Sequence, residues 1–185
     1  FVENRLPALQ PGGQALGFSV LGPLAVAFCK WLHDRRAARP AAGLYFLARD
    51  MYLMREVYGL LYPEEKTEYL QVSRRSLAPA FLAAGEYACV LAALPRQRLT
   101  GAQLAAYCGT VCPEGEAESI FDLKTPDTKA LYAFLAKLPR PETGDAVTGY
   151  LQSKQLRTGD ILVDIGSGGT TQLLLEKLLG TELHG

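Results

Sequence analysis

The run Asp160-Ile-Leu-Val163, followed by Asp164-Ile-Gly-Ser-Gly-Gly-Thr-Thr171, constrains this chain more than any other stretch. The apolar run is short and buried in character, so it reads as a strand. Beyond the loop, Leu174, Leu175, Leu178 and Leu179 recur at helical spacing, with Gln172, Glu176 and Lys177 on the opposite face. A strand, a glycine-rich loop and a helix in succession form the building unit of an α/β fold.

Two more strands fit the same plan. Gly43-Leu-Tyr-Phe-Leu-Ala48 is an uninterrupted apolar run bounded by turn residues, which suits a strand covered on both faces. The polar pair Arg49-Asp50 follows it, and then a helix over Tyr52 to Leu61 that ends near Pro63. Tyr69-Leu-Gln-Val-Ser73 is the second strand, followed at once by Arg74-Arg75. Alternating strands and helices predict a parallel sheet, and right-handed crossovers bring every strand's C-terminal end to one edge. Three polar clusters then meet at that edge: Arg49-Asp50, Ser73-Arg74-Arg75, and Asp164 with its loop. Ligands of open α/β sheets bind there.

The loop has a physical logic for anions. Glycines at 166, 168 and 169 open backbone conformations closed to other residues and allow a ligand close approach. Unpaired amides at a helix start carry the positive end of its dipole and favour phosphate or carboxylate. Ser167, Thr170 and Thr171 add hydroxyl donors, and Asp164 can hold a metal or a sugar hydroxyl. The competing reading makes the glycines a tight turn and Thr170 a helix cap. Arg74 and Arg75 suit bidentate phosphate recognition, or form an exposed pair at a strand end. Arg49 and Asp50 either pin that strand end as a salt bridge or join the site. A carboxylate between an apolar strand and a helix start needs a partner.

Between Ser76 and Gly159 only helical signals stand out. Thr100 with Gln103 makes a capping box, Thr125-Pro126 opens a helix carrying Leu131, Phe134, Leu135 and Leu138, and a third helix covers Gly144 to Leu156. Residues 76–159 thus read as a helical insertion between the second and third strands of a single domain, 1–185. A helix is also expected from about Pro23 to Ala38.

Composition sets the remaining bounds. Hydrophobic residues make up 49% and charged residues 21%, which supplies a core and argues against disorder. Nineteen basic residues balance nineteen acidic ones, so nothing global favours a nucleic acid, and attraction for phosphate has to be local. Cys29, Cys89, Cys108 and Cys112 lack histidines at ligand spacing, so packed, reduced thiols in a cytoplasmic protein are expected and no metal site. The uncharged run Ala15 to Cys29 is shorter than the ~20 residues a span requires. It contains Gly17, Gly22 and Pro23 and runs straight into His33-Asp34-Arg35-Arg36, so a core helix is expected and no membrane insertion. It also has the look of a signal-peptide core, with Arg5 before it and Ala25-Val26-Ala27 within it. A start at Phe1 suggests part of a longer protein.

The strings Leu44-Tyr-Phe-Leu-Ala-Arg-Asp-Met-Tyr-Leu53, Tyr69-Leu-Gln-Val-Ser-Arg-Arg-Ser-Leu77 and Ile161-Leu-Val-Asp-Ile-Gly-Ser-Gly-Gly-Thr170 resemble one family. They are similar to the C-terminal region of bacterial predicted hydrolases of the haloacid dehalogenase superfamily associated with polysaccharide biosynthesis. Leu21-Gly-Pro23 and the helix from Phe28 to Leu32 fit as well, so the resemblance covers roughly residues 16–180. The family usually has glycine at the position of Met51 and tryptophan at that of Ser167. Phosphatases of that superfamily use two aspartates two residues apart. The seven here, at 34, 50, 122, 127, 145, 160 and 164, include no such pair. The resemblance therefore implies that any hydrolase domain lies upstream.

The layout is also similar to type I phosphoribosyltransferases, with the strand ending at Asp164 and the Ser167-to-Thr171 loop corresponding to their phosphate cradle. Ile165 stands where the second acid of that motif would be. A weaker likeness is to the phosphate loop of actin-like ATPases, which is a hairpin between strands, whereas the leucine spacing after Thr171 is helical. The combined expectation is a Rossmann-like parallel sheet with a phosphoribosyltransferase-like layout. It would bind a nucleotide or sugar phosphate, with Mg²⁺ where the ligand brings it, as an accessory or transferase-like domain. Asp50 and Asp164 are the candidate catalytic residues. A non-catalytic interaction module is the alternative.

Overall fold

The computed structural model describes residues 12–40, 42–165 and 168–185. It is a mixed α/β fold around a three-stranded parallel sheet in the order β2-β1-β5, with β1 at Leu44–Leu47, β2 at Thr67–Leu70 and β5 at Ile161–Val163. Leu44 sits opposite Thr67 on one side and Ile161 on the other. All four residues of β1 are buried, as the unbroken apolar run requires of a central strand.

Side chains alternate across a strand, and here that alternation builds two cores. Leu44, Phe46, Ile161 and Val163 point to one face, where Cys29 and Leu32 of α2 (Gly22–Ala37) and Tyr58 of α3 (Tyr52–Leu61) cover them. Tyr45, Leu47, Leu70 and Leu162 point to the other. The larger cluster there includes Leu77 and Phe81 of α4 (Arg74–Ala83), Val90 of α5 (Tyr87–Ala93), and Leu104 of α6 (Gly101–Tyr107). Phe134 of α7 (Thr128–Leu135), Leu151 of α8 (Thr143–Ser153) and Leu174 of α9 (Thr170–Leu179) complete it. The chain leaves β1 over the first face to reach β2, then crosses the second face to reach β5. After α9 it returns beside β5, where His184 bridges Ile161 in parallel.

Several boundaries and one larger expectation need correction. β2 begins at Thr67 and ends at Leu70, so Ser73 caps α4 instead of closing a strand. Asp127, not Thr125, caps α7 through a bond from the Ala130 amide. Residues 76–159 are not wholly helical: β3 (Arg98–Thr100) and β4 (Ile120–Asp122) form an antiparallel pair. Three-residue strands carry no readable period, and their partners lie some twenty residues apart. Leu99 is buried, and Arg98 pairs with Asp122 at 3.0 Å.

The apolar N-terminal run is only partly a core helix. A short turn, α1 (Gly13–Leu16), passes through a π turn at Gly17–Leu21 into α2. Ala25, Cys29 and Leu32, one stripe of α2, are buried on the sheet, but Leu16, Phe18, Val20, Leu21 and Leu24 are exposed. The stripe meets the sheet only from Ala25 onward. Gly13–Ala37 forms one helix long and apolar enough to cross a membrane. A signal sequence or a core helix has the same composition.

Candidate functional site

The order of the strands defines where a site can form. From β1 the chain moves to β2 on one side and later returns to β5 on the other, so the direction of travel reverses at β1. The chain leaving β1 and the chain leaving β5 go to opposite faces there, and open α/β sheets hold ligands outside such a point. Ala48 to Met51 leave β1, and Asp164 onward leave β5. Met51 is fully buried and anchors its turn, while Arg49, Asp50 and Asp164 are exposed. Gly166 and Ser167 lie outside the described residues.

The described part of the loop meets α9 at Gly169. Gly169 is the N-cap of α9 at φ 60°, a left-handed conformation that disfavours side chains, and no side chain caps the helix. The N-cap residue itself therefore offers the first amides of α9 no side-chain acceptor. Gly168 has no such constraint, since a Cβ there would meet only Thr170 Oγ1, at 3.7 Å.

The polar residues after β2 divide by role. Ser73 is committed to its helix: its hydroxyl accepts from the Ser76 amide at 3.3 Å, and Ser76 Oγ accepts from the Ser73 amide at 2.8 Å. Arg75 lies over the Tyr107 ring, 5.2 Å from its centroid. Arg74 takes a different course and lines a cavity of about 600 Å³, together with Thr170 at the start of α9. Two cations that the sequence did not single out join it there, Arg96 from the turn before β3 and Lys124 from the turn after β4. Leu91, Leu94, Leu123 and Pro126 supply apolar wall.

The described lining holds three cations and no carboxylate. None of Arg74, Arg96 and Lys124 is ion-paired among the described residues. Burial pushes the Tyr107 phenol above its ordinary value, while the charges of Arg74 and Arg75 oppose that shift. Asp50 and Asp164 share the sheet edge but do not line this cavity. No signal in the sequence could have joined Arg96 and Lys124 to Arg74. They come from a region with only helical periodicity, and tertiary contact alone unites them.

The four cysteines are free, with Cys29, Cys89 and Cys108 buried and Cys112 half-buried. Burial pushes the Cys108 thiol up to about 12, so it packs as a small hydrophobe and not as a nucleophile. No group of three or more His, Cys, Asp or Glu suited to a metal occurs among the described residues.

A second cavity, of about 500 Å³, opens at the N-terminal end of the sheet beside Lys66, Glu68, Lys154, Arg157 and Asp160. Three of its charges are answered: Lys154 Nζ bonds Glu68 Oε2 at 2.9 Å, and Asp160 accepts two backbone amides. Comparison of the chain with protein-family models, curated proteins and solved structures gives no match.

Proposed function

We propose that this chain binds a phosphorylated small molecule, a nucleotide or sugar phosphate, at the C-terminal edge of its sheet. The observation that carries the reading is the cavity where Arg74, Arg96 and Lys124 meet the start of α9 with no carboxylate among its described lining. Unpaired cations around a concave, partly apolar space favour an anionic organic ligand. The layout is Rossmann-like in this reading, the segment between β2 and β5 is a mostly helical insertion that carries the β3–β4 pair, and 1–185 acts as one domain. By its resemblance to the haloacid dehalogenase-like proteins, the domain is an accessory or transferase-like part of a larger, cytoplasmic, polysaccharide-associated protein. An upstream domain of that protein is its natural partner.

Where the ligand brings Mg²⁺, Asp50 and Asp164 are the exposed carboxylates at the same edge. Mg²⁺ bound through phosphates needs only one or two of these. Their catalytic role belongs to this proposal, as do the ligand contacts of Arg49, Thr171 and the loop amides. Thermal shift against a panel of nucleotides and sugar phosphates tests the reading. A binder at about 100 times its dissociation constant adds about 2.7 kcal/mol of stability. Arg74→Ala is expected to remove that gain, and a panel with no stabilising member would end the proposal.

One observation favours a second reading, a non-catalytic interaction module. Leu16, Phe18, Val20, Leu21, Leu24 and Trp31 present exposed apolar surface along a single helix. Contiguous surface of that kind marks contact with another protein or a lipid surface. Concentration-independent monomer behaviour in analytical ultracentrifugation, with no binding to lipid vesicles, would weigh against this reading.

A further inference from the structure

We infer that the ligand of the cationic cavity is an organic diphosphate, an inference that rests on the phosphate-binding reading above. The cations stand on two different walls. Arg74 and Thr170 belong to helix starts that follow β2 and β5, so they are fixed by the sheet. Arg96 and Lys124 flank β3 and β4, so they are fixed by the small antiparallel pair in the segment between β2 and β5. The space they enclose, about 600 Å³, is about twenty times the ~30 Å³ share of one liquid water. A single phosphoryl group occupies a fraction of it and leaves one wall unserved.

Charge gives the same answer. Three positive side chains line the cavity with no described carboxylate among them. A phosphomonoester carries about two negative charges near neutral pH, and a second phosphoryl group adds roughly one more. A terminal diphosphate therefore balances the three cations, whereas a monophosphate leaves about one uncompensated. The organic group then lies against Leu91, Leu94, Leu123 and Pro126, which no phosphate would contact favourably.

Isothermal titration of the whole chain at fixed ionic strength, with inorganic pyrophosphate and with orthophosphate, tests the assignment. Pyrophosphate is expected to bind at least about tenfold more tightly. Arg96→Gln and Lys124→Gln are each expected to weaken pyrophosphate at least about fivefold. Both positions are exposed, and circular dichroism melts of the two variants check that the fold is kept. Affinities for the two anions within tenfold of each other overturn the diphosphate, as does pyrophosphate binding that survives either substitution. In those cases the phosphate-binding reading stands. Binding of neither anion ends both.

Discussion

The two ends of the sheet differ in how their charges are held. At the N-terminal end, two carboxylates are bonded within the protein. Glu65, just before β2, pairs with Arg36, accepts from Tyr58 Oη at 2.5 Å, and lies 2.9 Å from His33 Nδ1. Asp160, just before β5, accepts from the amides of Gly43 and Arg157, both at 2.7 Å. At the C-terminal end, Arg74, Arg96 and Lys124 face a shared cavity without carboxylate partners among the described residues. Internally paired groups hold strand starts together, whereas a cluster of like charges repels itself and gains only from something outside the chain. The bonded carboxylates add to stability, and the cation cluster is where the proposed ligand would bind.

The strongest way to break that comparison is to remove the N-terminal latch. Asp160 is 6% exposed, and Gly43 fits beside it because a Cβ there would come within 2.7 Å of the Tyr45 ring. Asp160→Ala leaves two amides without their charged acceptor and is expected to cost roughly 2–4 kcal/mol in urea unfolding. Phosphate binding by the folded fraction should be unchanged. A variant as stable as the parent would show that the latch does no structural work.

Arg74→Ala makes the opposite prediction. Stability should move by less than about 0.5 kcal/mol, since the residue is exposed and unpaired among the described residues. Affinity for a phosphorylated ligand should fall about tenfold or more in titration calorimetry. Gly169→Val should do some of both. A β-branched residue at φ 60° costs about 1–2 kcal/mol and disturbs the turn into α9 beside the cavity. Weakened unfolding stability with intact binding would uncouple the loop from the site.

The smallest expected effect is the share of the pH dependence carried by Glu65 and Tyr58 at the N-terminal end. Burial alone would raise the Glu65 carboxyl, but the Tyr58 hydrogen bond and the Arg36 and His33 charges hold it below its ordinary value. A carboxyl lowered by folding adds stability that is present above its unfolded pKa and lost as pH falls through the folded one. Burial and the Glu65 bond raise the Tyr58 phenol, so its contribution is present below the ordinary tyrosine pKa and lost as pH rises beyond it. Tyr58→Phe should therefore flatten the alkaline limb of a stability profile and weaken the acid limb. Unfolding midpoints measured between pH 3 and 11 check both limbs.

The sequence alone carried what local pattern can carry. An unbroken apolar run marks a central strand because every side chain of Leu44–Leu47 must be buried on one face or the other. The leucines after Thr171 mark α9 because helical spacing gathers them on one stripe. Those elements and the strand–loop–helix unit at Asp160–Leu179 predicted three parallel neighbours, and the structure has them. Tertiary structure decided the rest, because it depends on residues that meet across long separations. It assigned Ser73 to a helix cap, turned Arg75 onto Tyr107 and left Arg74 facing the cavity, although the three are consecutive in the chain. It paired β3 with β4, too short to show a period. It stopped the sheet contact of the N-terminal helix at Ala25, leaving exposed a run that composition alone would bury. It also brought Arg96 and Lys124 to the start of α9, a juxtaposition that no local spacing encodes, since each residue's own neighbours say nothing of the wall it will share.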